Sequence, residues 1–303
     1  MIDVTNEALP QNLVEARVVA DSVSKPGDQR LTTFEVNIHR FVLAEFNTHR
    51  VFSRNSASSR AIPVPKRMQE FRDNPAFSLT LPAEQPGMQG GAELEGDARV
   101  AAIGFLEDLH MSVYHRIAHY MENHEDPTTR LHKSVLARYM EPWLWHRVIV
   151  TATDWDGFFA QRVSELAQPE IHHPADLMQR EYRKSTPTQI GEGGWHLPYV
   201  QEEERDEFDI IDLVKLSTAR CARVSYLTHD GEYDPGKDVK LWDRLVSADP
   251  AHASPLEHPA RADYMNLRTA RWEMLDGTSK TKDLPNVGNF TGWMQARHLV
   301  LGF

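Results

Sequence analysis

The sequence predicts a single α/β domain. Three observations lead there. Strand-like and helix-like patterns succeed one another along the 303 residues, no internal repeat or low-complexity segment occurs, and no linker interrupts the chain. A chain of this length can bury a substantial core.

The elements follow in order. VEARVVADSVS (14–24) reads as a strand entering a turn at Pro26-Gly27, and LTTFEVNIHRFVLAEF (31–46) begins as a strand and continues with helical spacing. THRVFSRNSASSR (48–60) follows directly, and Ala61-Ile62-Pro63-Val64-Pro65 breaks regular structure. Residues 74–96, rich in Pro, Gly and Glu, form a surface excursion. Residues 98–123 place Ile103, Leu106, Leu109, Val113, Ile117 and Met121 at helical spacing, the strongest helix pattern in the chain. A shorter helix is expected over 131–139, ending near Pro142. Residues 143–152 mix aromatic and β-branched side chains and fit either a strand or a buried helix. Residues 158–166 look helical, and 185–199, with several glycines and prolines, reads as a loop. Helices are expected over 209–222 and 238–247, the second amphipathic with Leu241, Trp242 and Leu245 on one face and stopped by Asp249-Pro250. Residues 277–289 are rich in turn formers.

Composition limits the function classes. The net charge of −11 argues against nonspecific binding to a nucleic acid polymer, where a basic face supplies most of the affinity. No apolar run reaches the roughly 20 residues needed to cross a bilayer. MIDVTNEALPQ has neither the basic start nor the apolar core of a signal peptide, so none is expected. The single cysteine, Cys221, excludes an intramolecular disulfide framework and a multi-cysteine zinc site, which fits a cytoplasmic setting. His115 and His119 lack a third ligand in the sequence pattern, so zinc is not expected there.

Against this acidic background, the run 48–60 concentrates one histidine, three arginines, four serines and an asparagine. Arginine suits phosphate because its planar fork makes two parallel charge-assisted hydrogen bonds. Composition alone leaves two alternatives open: a solvated basic loop, or a grip on a phosphorylated ligand.

The pattern H-R-x-x-S-x-N-x-x-S-x-R, from His49 to Arg60, resembles the signature of the flavin-dependent thymidylate synthases, with Thr48 where that family begins R-H-R. Further blocks match. LARYMEP carries Ala137 and Arg138 four residues before Pro142, and FFAQRVSELAQPEI places Arg162, Ala167, Gln168, Glu170 and Ile171 in register. CARVSY (221–226) and HASPLEH (252–258) resemble two blocks that precede R-H-R in ordinary members but lie near the C-terminus here. The block order therefore looks circularly permuted, as in a phage-type branch sharing THRVFSRN and AQPEI. The expectation is one domain over 1–303, with the first two groups of blocks in 1–200 and the last two in 201–303.

The resemblance implies an α+β fold with a mixed sheet flanked by helices, and a homotetramer whose active sites are shared between subunits. It implies methylation of dUMP to dTMP with 5,10-methylenetetrahydrofolate, reduced FAD and NADPH. By motif position Arg162 takes the catalytic role, a guanidinium set against the pyrimidine's polar edge. Ser58, Arg60 and Arg138 match positions that hold the nucleotide and its phosphate. His49, Arg50, Ser225, His252, Ser254 and Glu257 match positions that contact the flavin. Cys221 is expected to be a small buried residue, since no cysteine nucleophile is required.

Departures from the family pattern set further expectations. TATDWDGFF (151–159) lacks the family's FAD-contacting arginine, and Trp155 is a candidate to stack on a ring in its place. Glu45 replaces a glutamine before the R-H-R motif. GWMQARH (292–298), with Gln295 and Arg297, is expected to fold beside run 48–60 and replace lost contacts. Two other activities stay open: methylation or hydroxymethylation of dCMP or dUMP by a sister enzyme, and nucleotide or flavin binding without turnover.

Overall fold

The computed structural model describes residues 13–25, 27–58, 60–226, 233–263 and 289–301. Strand β1 (Glu15–Lys25) pairs antiparallel with β2 (Arg30–His39). The chain then tightens through a single 3-10 turn into the short helix α1 (Leu43–Phe46), as the change of spacing within 31–46 predicts. Strand β3 (Ser53–Ser56) carries the centre of the arginine-serine run. Helix α2 (Val64–Asp73) follows, so the two prolines at 63 and 65 mark a helix start rather than a break. Proline fits there because the first-turn N–H it lacks has no intrahelical partner anyway.

Helix α3 (Gly96–Glu122) confirms the strongest sequence pattern, and α4 (Lys133–Arg138) lies inside the shorter expected helix. Residues 143–152 resolve as strand β4 (Trp145–Ala152). β4 lies between β2 and β3 and is covered on both faces. Val148, Val150 and Ala152 pack with Phe34, Val36 and Ile38 against one layer, while Ile149 meets Cys221 and Val224 on the other. Burial on both faces removes the alternation that would have distinguished strand from helix.

Helix α5 (Asp156–Arg162) stops four residues short of its expected end. Helix α6 (Pro169–Lys184) has no counterpart among the sequence expectations; its stripe Ile171, Pro174, Ala175 and Met178 seals the β1–β2 side of the sheet. The expected loop over 185–199 contains strand β5 (Thr188–Gly191), parallel to β1, and strand β6 (Trp195–His196). After α7 (Glu202–Glu207), helix α8 (Ile210–Tyr226) covers β3 and β4 from the opposite face, with α9 (Pro235–Val246) packed outside it. Strands β7 (Ala260–Ala262) and β8 (Trp293–Gln295) complete a second sheet, and α10 (Ala296–Leu301) follows.

The result is a five-stranded mixed sheet, β3-β4-β2-β1-β5, flanked by helices on both faces, and a three-stranded antiparallel sheet, β6-β7-β8. A buried chain of hydrogen bonds joins the two. Ser22 Oγ meets His196 Nδ1 at 2.8 Å, His196 Nε2 meets Thr33 Oγ1 at 2.8 Å, and Thr33 meets Thr151 at 2.7 Å. Thr151 Oγ1 then meets His258 Nδ1 at 2.8 Å. Burial pushes both imidazoles down to a pKa of about 3, so they are neutral at pH 7. Among the described residues no helix is long and apolar enough to cross a membrane. Of the turn-rich 277–289 stretch, only Asn289 lies within the described residues.

Candidate active site

The run 48–60 is held from inside. Arg54 is half-buried, and its Nη1 donates to the carbonyls of Phe46 and His49, closing the turn between α1 and β3. Phe52 sits beneath it in an aromatic cluster with Phe46, Trp155 and Phe158. Trp155 is 2% exposed, and its indole N–H is spent on the Ala152 carbonyl. It therefore cannot stack on a bound ring: a wall of Phe34, Phe52 and Phe159 already fills its surroundings.

Asn55 joins three distant parts of the chain. Its Nδ2 donates to the Cys221 carbonyl on α8 at 3.0 Å, and its Oδ1 accepts from Ser254 Oγ at 3.2 Å. Cys221 is fully buried, and burial raises its thiol well above the usual cysteine range, so it is an inert packing residue. The segment 292–298 does fold beside the run. Gln295 Nε2, fully buried on β8, donates to Ser53 Oγ at 2.7 Å and to the Glu257 carbonyl at 2.8 Å. Arg297 Nη1 donates to Glu257 Oε1 at 2.6 Å. Gly292, before β8, has φ of 78° and lies against the Gln29 side chain, where a Cβ would collide.

These ties create a cleft of about 460 Å³ between β3, α8 and the 252–255 segment. Ser58 and Arg60 line it from one side, and His252 and Ser254 from the other. Asn55 and Ser56 form its floor with Ala222 and Leu245. The Arg60 guanidinium and His252 ring, both exposed, have no hydrogen-bond or ion-pair partner among the described residues, which leaves them available to a ligand. The volume falls in the range of small-molecule sites. A cation, an imidazole and two hydroxyls are a donor set suited to a phosphorylated ligand. FAD, with two nucleotide-like halves, is larger than this cleft, so the donors fit one half of it or a mononucleotide.

Arg162 lies elsewhere. At the end of α5, its Nε donates to His49 Nε2 at 3.0 Å and its Nη2 to Thr48 Oγ1 at 3.2 Å. A guanidinium only donates, so His49 Nε2 is an acceptor and the ring is neutral. Burial, then the charges of Arg162 and Arg54, lowers the His49 pKa accordingly. Arg50 is exposed, as is Arg138 at the end of α4. Among the described residues no hydrogen bond joins Arg60, Arg138 and Arg162, and the cleft lined by Arg60 does not include the other two. Glu257 is engaged by Arg297 rather than presented to the cleft. Ser225 lies on α8, but its side chain is outside the described residues. Glu45 on α1 keeps a buried Oε2 without a partner.

The sequence left Asn55 without a site role and did not foresee Ala222 and Leu245 as lining. The N of the motif was the available signal for Asn55. Nothing in the sequence pairs residue 245 with residue 58. No group of three or more His, Cys, Asp or Glu side chains suited to a metal occurs among the described residues.

No protein-family model matches the chain, and no curated protein matches it. Among solved structures the chain is similar to a UMP/dUMP methylase PolB from Streptomyces cacaoi bound with 5-Br UMP. The identity is 13% and the TM-score 0.43, over 57% of this chain and 90% of that one.

Proposed function

We propose that this chain is a flavin-dependent pyrimidine deoxynucleotide methylase that converts dUMP to dTMP. The observation that carries the reading is the shared cleft. Ser58 and Arg60 belong to one sequence block, His252 and Ser254 to another almost 200 residues away, and folding sets them face to face. A solvated basic loop gives no reason for that convergence.

On this reading Ser58 and Arg60 hold the nucleotide, with the guanidinium against its phosphate. His252 and Ser254 hold the flavin, while Arg297 fixes Glu257 and so the turn that carries Ser254. FAD, recharged by NADPH, would supply the hydride, and methylenetetrahydrofolate the one-carbon unit. Arg162 is held by His49 and Thr48, a preorganised cation for the polar edge of a pyrimidine. It meets the cleft of a neighbouring chain, as does Arg138, in a homotetramer with shared sites. Arg138, exposed and without a partner among the described residues, and the neighbouring apolar pair Phe105 and Leu109 left open on α3 support such an assembly.

The test is a visible absorption spectrum of the purified protein, repeated with NADPH and with dUMP. A flavin band bleached by NADPH and shifted by dUMP is expected. A colourless protein that takes up no added FAD would defeat the proposal. Mass spectrometry of products from dUMP and dCMP, offered separately, distinguishes this enzyme from a dCMP methylase or a hydroxymethylase. A flavin that binds but never reduces would point to a non-catalytic binding protein.

A further inference from the structure

The hydroxyls that line the cleft do not all offer a ligand the same chemistry. A serine has one proton to give, and a proton already given to the protein leaves only lone pairs for whatever binds. The contacts of Asn55 and Arg60 set this polarity on the two sides of the cleft.

Asn55 is buried on β3, in the floor of the cleft. The Cys221 carbonyl, 3.0 Å from its Nδ2, can only accept, so the amide nitrogen must face α8. That turns Oδ1 toward Ser254 Oγ, at 3.2 Å. Two oxygens this close repel unless a proton lies between them, and an amide oxygen has none to offer. Ser254 therefore donates to Asn55, and what its Oγ keeps for the cleft is an acceptor. Ser58, on the other side, is set the opposite way. Its Oγ accepts from the Arg60 backbone N–H at 3.3 Å, and its own proton has no partner among the described residues. Ser58 is thus a donor toward the cleft, beside an Arg60 guanidinium that also only donates.

The two sides are complementary to different groups. Ser58 and Arg60 suit phosphate oxygens, which only accept. Ser254 does not, because a phosphodiester oxygen brings no proton to the contact; it suits an O–H or N–H. We propose that Asn55 is a positioning residue for specificity: it holds Ser254 as an acceptor, so that this side of the cleft takes a hydroxyl or imide N–H of the flavin and turns away its pyrophosphate. The inference rests on the methylase reading and deepens it, since that reading gives Ser254 to the flavin without saying which part. FAD carries such a donor on the isoalloxazine imide, on the ribityl chain and on the adenosine ribose.

Calorimetric titration of the full chain tests it, with FAD, N3-methyl-FAD, FAD with a hydroxyl-free chain in place of ribityl, and FAD with a 2′,3′-dideoxyribose. One of these analogues should bind about tenfold more weakly than FAD, the loss of one hydrogen bond, and which one it is identifies the donor. In Ser254→Ala, which removes the acceptor from an exposed position, that difference should shrink to about twofold or less. In Asn55→Ala the freed hydroxyl is no longer held as an acceptor, and the difference should fall to about threefold. A merely structural role for Asn55 would weaken FAD and the analogue alike and leave their ratio unchanged. An unchanged ratio in either folded variant, or a native chain that binds all four ligands equally, overturns the proposal. FAD bound without discrimination leaves the methylase reading standing, whereas a chain that takes up no FAD defeats both.

Discussion

Acid should loosen the junction between the two sheets, and its size can be worked out. In the chain Ser22–His196–Thr33–Thr151–His258, each neutral imidazole presents one donor and one acceptor, so every hydroxyl finds a partner. Protonating both rings makes both of them donors toward the two threonines between them. One threonine hydroxyl then has no acceptor, and two cations sit in a fully buried site. With folded pKa values of about 3 against 6.5 unfolded, the unfolded chain binds more protons below about pH 6.5. Stability is therefore at its full value above that pH and falls continuously toward pH 3. At about pH 5 the unfolded rings have gained protons over about 1.5 pH units, which costs about 2 kcal/mol for each ring. Against a total of about 5–15 kcal/mol, the pair is a large fraction. Urea unfolding at about pH 7.5 and about pH 5 measures it, comparing the native chain with His258→Gln, a neutral replacement. The variant should lose about 2 kcal/mol less across that interval. Equal losses in the two proteins, or a His258 resonance titrating near its ordinary pKa in the folded state, would refute the reasoning.

Three further outcomes follow from the same contacts. Gln295→Met removes two buried hydrogen bonds, leaving the Glu257 carbonyl unpaired and Ser53 Oγ with only the longer bond from Asn289, so denaturant unfolding should show a loss of about 1–3 kcal/mol. Arg60→Ala removes an exposed side chain without a partner, so stability should change by less than about 0.5 kcal/mol, while affinity for dUMP measured by calorimetry falls about tenfold or more. Trp155→Ala empties a site in the aromatic core and should cost about 3–5 kcal/mol by thermal or urea unfolding.

Much of the fold was legible because half-buried elements leave periodic patterns. Helices α3, α8 and α9 and strands β1 and β2 all occur within a few residues of their expected positions. The failures have separate physical origins. β4 is buried on both faces, so its pattern is apolar without a period. β5 and β6 are four and two residues long, too short to show alternation between glycines. In α6 the stripe of Ile171, Ala175 and Met178 was present, but Pro174 and the paired histidines interrupt it. Trp155, between Asp154 and Asp156, reads in sequence as a candidate to stack on a bound ring, yet both aspartates are exposed while the indole turns into the core. For the site, the sequence named Ser58, Arg60, His252 and Ser254, which do converge. It could not show that Arg162 is held by His49 and Thr48 rather than placed in the same cleft, because spacing along a chain carries no distance through space.

The tie between Ser53 and Gln295 spans 242 residues. Closing so long a loop is entropically unfavourable until much of the intervening chain is already in place. During synthesis, strand β3 emerges early, paired on one side by β4, while the groups that anchor its serine are still unmade. The cleft beside β3 can thus mature only after residue 295 has left the ribosome. Until then, an early-formed edge strand with Arg54 at its centre waits without its final covering, a natural client for chaperones and a point where stalled translation leaves a folded but incompetent intermediate.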